Sequence, residues 1–594
     1  MKRNKPLALV AGAALLTLAA CGGGSSDDGD TGSGADREFG AQEGGTKDAE
    51  RQGPAADIDG ASAGGTITVY LPSDPGPDTL DPSGGWSVTG NSIQQALTSR
   101  SLTQYARGDD GEPILVPDLA TDLGTANEDF TEWTFTIRED ATWEDGKPVT
   151  AEEVAFGICR SLDSEAFPSG PGTEYSKNYF ADAADYEGPY TAKDPNCENY
   201  DAIAVDGQDI TISMAKPFPD MPYWAAFPAI GPIPEGKASN PATYAQHPLA
   251  TGPYMFDKYT PEKSLTLVKN PEWDPATDPG RHQYVDGFDM QFDTPTAKID
   301  QIMLADQGDA QDTLTYDNVS VSDYLPFTQD SNDRLVTGSV PCTAYWAPDY
   351  RKIKDIKVRQ ALAYAYPYAD VYSATGLIPD VTRVYGTNLM PPGVPGREEY
   401  NPLPDHEPGT TDPDKARALL KEAGEEGFEI KFLYATDDPL SVDGKDQIVK
   451  GLEAAGFKAT PVATTVAQLS TVRADPDADI NVRSAGWCSD WPSGASWFPP
   501  VLGSTNLDKE GLGSNYAVFS EKKVDDQISD ILSSKIEDQP AMWNELDQSI
   551  ATDYFPLFVT GYYGAAMMRG SNVNGFLDDT VFGMPTWKDM WLTQ

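Results

Sequence analysis

Gly486-Trp487-Cys488-Ser489-Asp490-Trp491-Pro492 sets a carboxylate between two indoles, at the end of a run from Ile480 to Trp487 that reads as a strand. Large aromatic rings keep water from a neighbouring carboxylate, so an ammonium partner counts for more there than in open solvent. Asp490 has a plainer reading too, as a helix N-cap or a turn residue before Pro492. What the rest of the chain builds around this stretch decides between them.

Immediately upstream the chain alternates between strand and helix. Lys415 to Ala423 reads as a helix closed by Gly424, Phe428 to Tyr434 as a strand, and Asp446 to Ala455 as a helix stopped at Gly456. That βα order predicts an α/β lobe. Ile356 to Ala365 reads as a helix that Pro367 ends. Nearer the start, Thr66 to Tyr70 is β-rich, Ile93 to Leu102 has helical spacing, and Trp133 to Ile137 alternates as a half-buried strand does. Thr150-Ala151-Glu152-Glu153 is a capping box that opens a helix, and Val205 to Ile210 carries a hairpin turn at Asp206-Gly207.

The chain has 594 residues, with 93 acidic side chains against 43 basic ones and a net charge of −50. Nucleic acid is excluded as a partner, because it demands a basic footprint. The acids are spread along the whole length, which reads as a solvated surface rather than one negative cleft.

The first residues have the order of an export signal. Lys2, Arg3 and Lys5 precede an apolar run from Leu7 to Ala20, too short to span a bilayer. Leu18-Ala19-Ala20-Cys21 resembles a bacterial lipobox, with residues 1–20 removed and lipid placed on Cys21. Residues 21–64 contain almost no large apolar side chain and are expected to form a disordered tether. Four cysteines then remain, Cys159, Cys197, Cys342 and Cys488, with three possible connectivities in an oxidising compartment.

Catalytic and metal signatures are weak. His247, His282 and His406 are far apart and form no metalloprotease motif. Gly60-Ala61-Ser62-Ala63-Gly64 matches a nucleophile-elbow pattern but follows no strand. Asp475, Asp477 and Asp479 begin like a calcium loop, yet Ile480 stands where glycine is required. Neither an enzyme nor a cofactor or metal is expected.

Several short motifs follow one another along the chain: Thr79-Leu80-Asp81-Pro82, Pro117-Asp118-Leu119-Ala120, the block from Trp143 to Val154, Thr251-Gly252-Pro253-Tyr254, Asn270-Pro271-Glu272-Trp273, Val358-Arg359-Gln360-Ala361-Leu362, Gly486 to Asp490, and Asn515-Tyr516. Together they resemble the peptide/dipeptide/nickel class of extracellular solute-binding proteins, solute-binding protein family 5, which serve ABC importers. The resemblance implies an α/β, two-lobed periplasmic-binding-protein-like fold with a ligand cleft between the lobes and an extra subdomain on lobe I. Mapped here, lobe I takes residues 65–335 with the subdomain at 106–224, lobe II takes 336–559, and 560–594 return to lobe I.

It also implies a function: a lipid-anchored, extracellular, monomeric receptor that passes oligopeptides to an ABC permease and ATPase. The alternative is the same fold for a sugar, opine or metal chelate, or a peptide-sensing role. Asp490 would hold the ligand ammonium, with Trp487 and Trp491 lining the pocket. The strand through Ala485, Gly486, Trp487 and Cys488, and the segment through Trp86, Ser87, Val88 and Asn91, would supply edges that pair with an extended ligand. With the lobes so placed, Cys159 is expected to bridge Cys197 within the subdomain, and Cys342 to bridge Cys488 across two lobe II strands.

Overall fold

The structure, a computed structural model, describes residues 45–594 apart from 72–75, 78, 109–110, 169, 195, 235, 293, 317, 331, 508–511, 577, 580–583 and 586. The signal segment 1–20, the lipidation site Cys21 and tether residues up to 44 lie outside the described residues. Among the described residues, no helix is long and apolar enough to cross a membrane.

Lobe I is organised by the strand Thr66–Leu71, in which Ile67, Val69 and Leu71 are buried while their neighbours are not. It pairs in parallel with Gly287–Phe292 on one side and Thr313–Thr315 on the other. Parallel neighbours require a long crossover. The crossover between the first two holds the subdomain and the hairpin of Tyr254–Thr260 and Ser264–Lys269, which extends the same sheet.

The subdomain is an antiparallel four-stranded sheet in the order Thr125–Ala126, Glu132–Thr136, Asp209–Ser213, Ile203–Asp206. Gly207, with φ of 66°, makes the turn between the last two. The helix Ala151–Arg160 packs on this sheet, and its capping box is complete: the Glu153 amide donates to Thr150 Oγ1, and the Thr150 amide donates to the Glu153 carboxylate. Trp143 Nε1 donates to the same carboxylate at 2.8 Å. Cys159 is bonded to Cys197.

Two long strands, Leu335–Pro348 and Phe558–Met568, carry the chain between lobes. They pair antiparallel from Leu335 opposite Met568 to Trp346 opposite Phe558, with a register shift between Ser339 and Thr343. Val336, Ala565 and Met567 belong to the lobe I core, whereas Trp346 and Phe558 belong to the lobe II core. The irregularity therefore falls between two packed bodies, where bending disturbs neither core. In lobe II the sheet order is Arg383–Val384, Phe558–Met568, Leu335–Pro348, Val482–Cys488. Beside it stand the parallel strands Glu429–Ala435 and Lys458–Thr464 with the intervening helix Pro439–Ala454.

The short motifs named above do structural work. Asp81 receives two hydrogen bonds from Arg160 at 2.5 Å each. Asp118 accepts from Arg100 Nε at 2.6 Å and from Arg281 Nη1 at 2.9 Å, and Arg281 also reaches Asp278 at 3.1 Å. Trp273 Nε1 donates to Asp278, and Thr251 Oγ1 accepts from the Arg100 amide. Arg359 donates to the carbonyls of Ile353, Lys354, Tyr554 and Phe555.

Two sequence-based expectations are corrected. Residues 45–64, assigned to a disordered tether, lie along lobe I. The Leu115 amide donates to Thr46 O, the Ala55 amide to Asp278 O and the Gly64 amide to Tyr284 O, while Ser62 Oγ donates to Leu592 O. Backbone hydrogen bonds rather than apolar burial hold this segment, so its composition hides it. The segment 88–91, expected as an extended edge, is the start of the helix Val88–Ile93, with Ser87 as N-cap accepting from the Gly90 amide at 3.0 Å.

Candidate functional site

The edge strand Val482–Cys488 ends the lobe II sheet and has Leu335–Pro348 as its hydrogen-bonded neighbour there. Its Ser484 and Gly486 are exposed while Val482, Arg483 and Ala485 are buried. Cys342 stands directly opposite Cys488 in the register and is bonded to it, with Cα atoms 3.9 Å apart. The disulfide staples the end of the edge strand two residues before Asp490. A side chain at Gly486 would meet Tyr563 Oη at 2.7 Å, so any larger residue there would displace the Tyr563 hydroxyl.

Asp490 follows the strand and reaches across to lobe I. Trp86 Nε1 donates to one carboxylate oxygen at 3.3 Å, and the Tyr175 hydroxyl donates to the other. Among the described residues no lysine or arginine forms an ion pair with it. Burial pushes its carboxyl up to about 7, against the pull of the Tyr175 and Trp86 hydrogen bonds and with help from Glu174. Burial likewise holds the Tyr175 proton, reinforced by the Asp490 charge. The helix N-cap reading fails for Asp490, because Ser493 is the residue that caps the next turn, accepting from the Ala495 amide.

The two tryptophans part company. Trp487 is half-buried; its ring meets Trp86 edge-on at 6.0 Å, and its Nε1 donates to Ser496 O at 2.9 Å. Trp491, expected to line the pocket, is buried instead. It packs on Tyr175 at 4.6 Å and donates to Asp220 at 2.8 Å, so it forms the wall behind the site. Asn91 is buried within lobe I. The structure thus gathers Trp86, Trp487 and Asp490 at one junction. The helical turn 88–93 carries Val88 and Asn91 away from any strand geometry.

Ala485 and Gly486 also line a lobe II cavity of about 350 Å³, with Ser484, Trp346, Tyr434 and Tyr563 among its walls. Sequence reasoning missed this cavity and missed Tyr175. Tyr175 adjoins a single helical turn, Pro171–Glu174, and nothing local marks it as a partner for a residue more than three hundred positions away.

Comparison with known proteins identifies the family and the fold. Residues 115–509 match the description of bacterial extracellular solute-binding proteins, family 5 Middle. The probable D,D-dipeptide-binding periplasmic protein DdpA of Escherichia coli is 23% identical over 525 residues, 84% of this chain and 89% of its own. The periplasmic oligopeptide-binding protein OppA of Salmonella typhimurium is 21% identical, over 75% of this chain and 79% of its own. The solved structure of clavulanic acid biosynthesis oligopeptide binding protein 2 is 22% identical and covers 95% of this chain and 100% of its own, with a TM-score of 0.80. At that identity the structural likeness speaks for the two-lobed fold, while the family match spans well over half the chain. This chain belongs to the bacterial extracellular solute-binding proteins of family 5, binding receptors for ABC importers rather than enzymes.

Proposed function

We propose that the protein is a lipid-anchored, monomeric receptor on the outer face of the cell membrane that captures oligopeptides with a free amino end and delivers them to an ABC permease and ATPase. One observation carries the ligand reading: Asp490 is a secluded carboxylate at the meeting of the lobes whose partners among the described residues are the neutral donors Trp86 and Tyr175. An ammonium that takes their place supplies the missing charge, and the adjoining edge strand offers backbone groups to an extended chain. Related proteins described as dipeptide- and oligopeptide-binding support the same class. The lipobox resemblance at Cys21 supports the anchor.

Calorimetry with free and N-acetylated peptides tests the reading. Free peptides should bind and acetylated ones should bind poorly. Equal affinities would remove Asp490 from the role, and tight binding of an uncharged sugar with no peptide binding would replace the ligand class. For the anchor, Cys21→Ala should release the protein from membranes, and a wild-type chain that takes up no labelled fatty acid sinks the idea.

A further inference from the structure

The lobe II cavity is electrostatically out of character with the chain around it. In a protein of net charge −50, none of the residues that line it is acidic, and three are basic: Arg383, Arg473 and Lys445. Lys445 is paired with Asp446. The two arginines are not so provided for. Arg383 is 9% exposed, its Nε and Nη1 are buried without a hydrogen-bond partner, and its guanidinium lies 3.8 Å from the centroid of the Tyr563 ring. Arg473 Nε is likewise buried without a partner, although its Nη1 reaches Ser484 O at 3.3 Å. Buried polar groups are almost always satisfied, so three orphaned donors on two guanidiniums at the wall of one cavity require an explanation.

The backbone around them is shaped to keep the space. Arg383 sits on the two-residue strand Arg383–Val384, directly opposite Tyr563 in the register. At Gly561, φ is +149° and a Cβ would meet Arg383 Cδ at 2.7 Å, so glycine there makes room for the arginine stem. A guanidinium fixed against an aromatic face at the wall of a cavity is pre-organised for a carboxylate. The volume, about 350 Å³, lies in the range of ligand pockets and far exceeds what a lone carboxylate fills. The walls are largely aromatic and aliphatic, with Trp346, Tyr366 and Phe432 among them. Ser484, Ala485 and Gly486 line the cavity, and the last two belong to the edge expected to pair with an extended ligand.

We propose that this cavity receives an acidic side chain of the bound peptide, with Arg383 and Arg473 holding its carboxylate and the aromatic walls its apolar part. The proposal rests on the peptide-receptor reading and sharpens it to peptides with an acidic residue. The pocket is a specificity device distinct from Asp490, since the one reads an anion and the other a cation.

Four alanine tetrapeptides decide it, carrying glutamate or glutamine at an internal position, each with a free or an amidated carboxyl end. In the wild type the glutamate peptides should bind about tenfold or more tighter than the glutamine ones, whatever the carboxyl end. In Arg383→Met, and again in Arg473→Met, that preference should shrink to within about twofold while the glutamine peptides bind as before. Both variants should melt within a few degrees of the ligand-free wild type or above it, which separates a ligand-reading role from a structural one. Equal binding of glutamate and glutamine peptides by the wild type overturns the proposal. So does a dependence on the free carboxyl end alone. If no tetrapeptide binds, the receptor reading fails by itself, and glutarate then tests the pocket. At constant ionic strength glutarate should raise the melting temperature of the wild type but not of the Arg383→Met, Arg473→Met double variant. No shift in the wild type rejects the pocket as well.

Discussion

Arg100 and Arg281 in lobe I and Arg383 in lobe II are all hidden from water, yet their surroundings are opposites. The lobe I pair is saturated: Arg100 donates to Asp118 and to both oxygens of Thr277, and Arg281 donates to Asp118, Asp278 and Gln95 O. Against the opposing effect of burial, Arg281 and Arg100 hold the Asp278 carboxyl well below its usual range. Arg383 lines a cavity, and its Nε and Nη1 lack such partners among the described residues. A buried charge with its partners in place belongs to the fold, and one without them is waiting for something. Asp490 is the acidic counterpart of Arg383, secluded and served only by neutral donors.

The largest expected effect therefore lies in lobe I. Arg281→Met leaves Asp118 and Asp278 to share Arg100, and should destabilise the protein by about 3–5 kcal/mol in urea denaturation. A loss below about 1 kcal/mol would break the comparison, because the saturated network would then be no more structural than the orphaned arginine.

This contrast also explains what the sequence discloses. Local chemistry was legible: the alternation from Trp133, the Thr150 capping box, the helix Ile356–Ala365 stopped before Pro367, and Gly424 closing its helix with φ of 71°. Each is set by neighbours within a few residues. The edge strand and both disulfides were legible once the family order placed the lobes. Asp490 stood out because two indoles flank it, but its partners Trp86 and Tyr175 come from hundreds of residues away. The flanking indoles misled for Trp491, since adjacency in sequence does not say which ring faces the cleft and which faces the core. The cavity was invisible, because Arg383 and Arg473 come from different elements and their significance is a lack of partners, which only the folded chain reveals.

Next in size is Asp490→Asn, which should act in two directions. The wild-type carboxyl titrates near 7 in the folded protein against 3.8 when unfolded, so between those values the folded state holds a proton that the unfolded chain has shed. The associated stability is complete below about pH 4 and is lost as pH rises through about 7. Asparagine escapes that loss and should be more stable than wild type at pH 8 by about 2–4 kcal/mol, with little difference at pH 4. Free peptides should meanwhile lose about 2–5 kcal/mol of affinity. Wild-type affinity should itself fall as pH drops below 7, since the ammonium needs the ionised form. A flat stability difference between pH 4 and pH 8 would show that Asp490 is not held near 7 in the ligand-free protein.

Arg383→Met should move stability less. Relief of an unsatisfied buried group, worth about 1–3 kcal/mol, is offset by loss of the contact with Tyr563, worth about 0.5–2 kcal/mol. The ligand-free variant should therefore unfold within about 1 kcal/mol of wild type or above it, by the same urea measurement. Destabilisation comparable to that of Arg281→Met would mean that Arg383 is saturated after all, and the two regions would no longer differ in kind.

Lys47 supplies the intermediate case and the smallest expected effect. It belongs to the segment laid along lobe I, its ammonium lies 4.2 Å from the centroid of the Tyr223 ring, and its charge is felt by Asp220, which accepts from Trp491 behind the binding site. Burial lowers the Lys47 ammonium and raises the Asp220 carboxyl, in each case against the attraction between them. Both groups are thus pushed toward neutrality, so desolvation outweighs their mutual charge, which is neither the saturated state of Arg281 nor the orphaned one of Arg383. Lys47→Met removes a desolvated charge and, with it, a cation that lowers Asp220. The two changes oppose each other, and the net shift in unfolding free energy at pH 7 should stay under about 1 kcal/mol. The sign of its pH dependence is the sharper readout. A lysine whose ammonium is lowered on folding makes the wild type gain stability as pH rises from the folded value toward 10.5, and that gain should vanish in the methionine variant. A loss of several kcal/mol at pH 7 would instead place Lys47 with the lobe I network, making the N-terminal segment a structural strut for the wall behind Asp490.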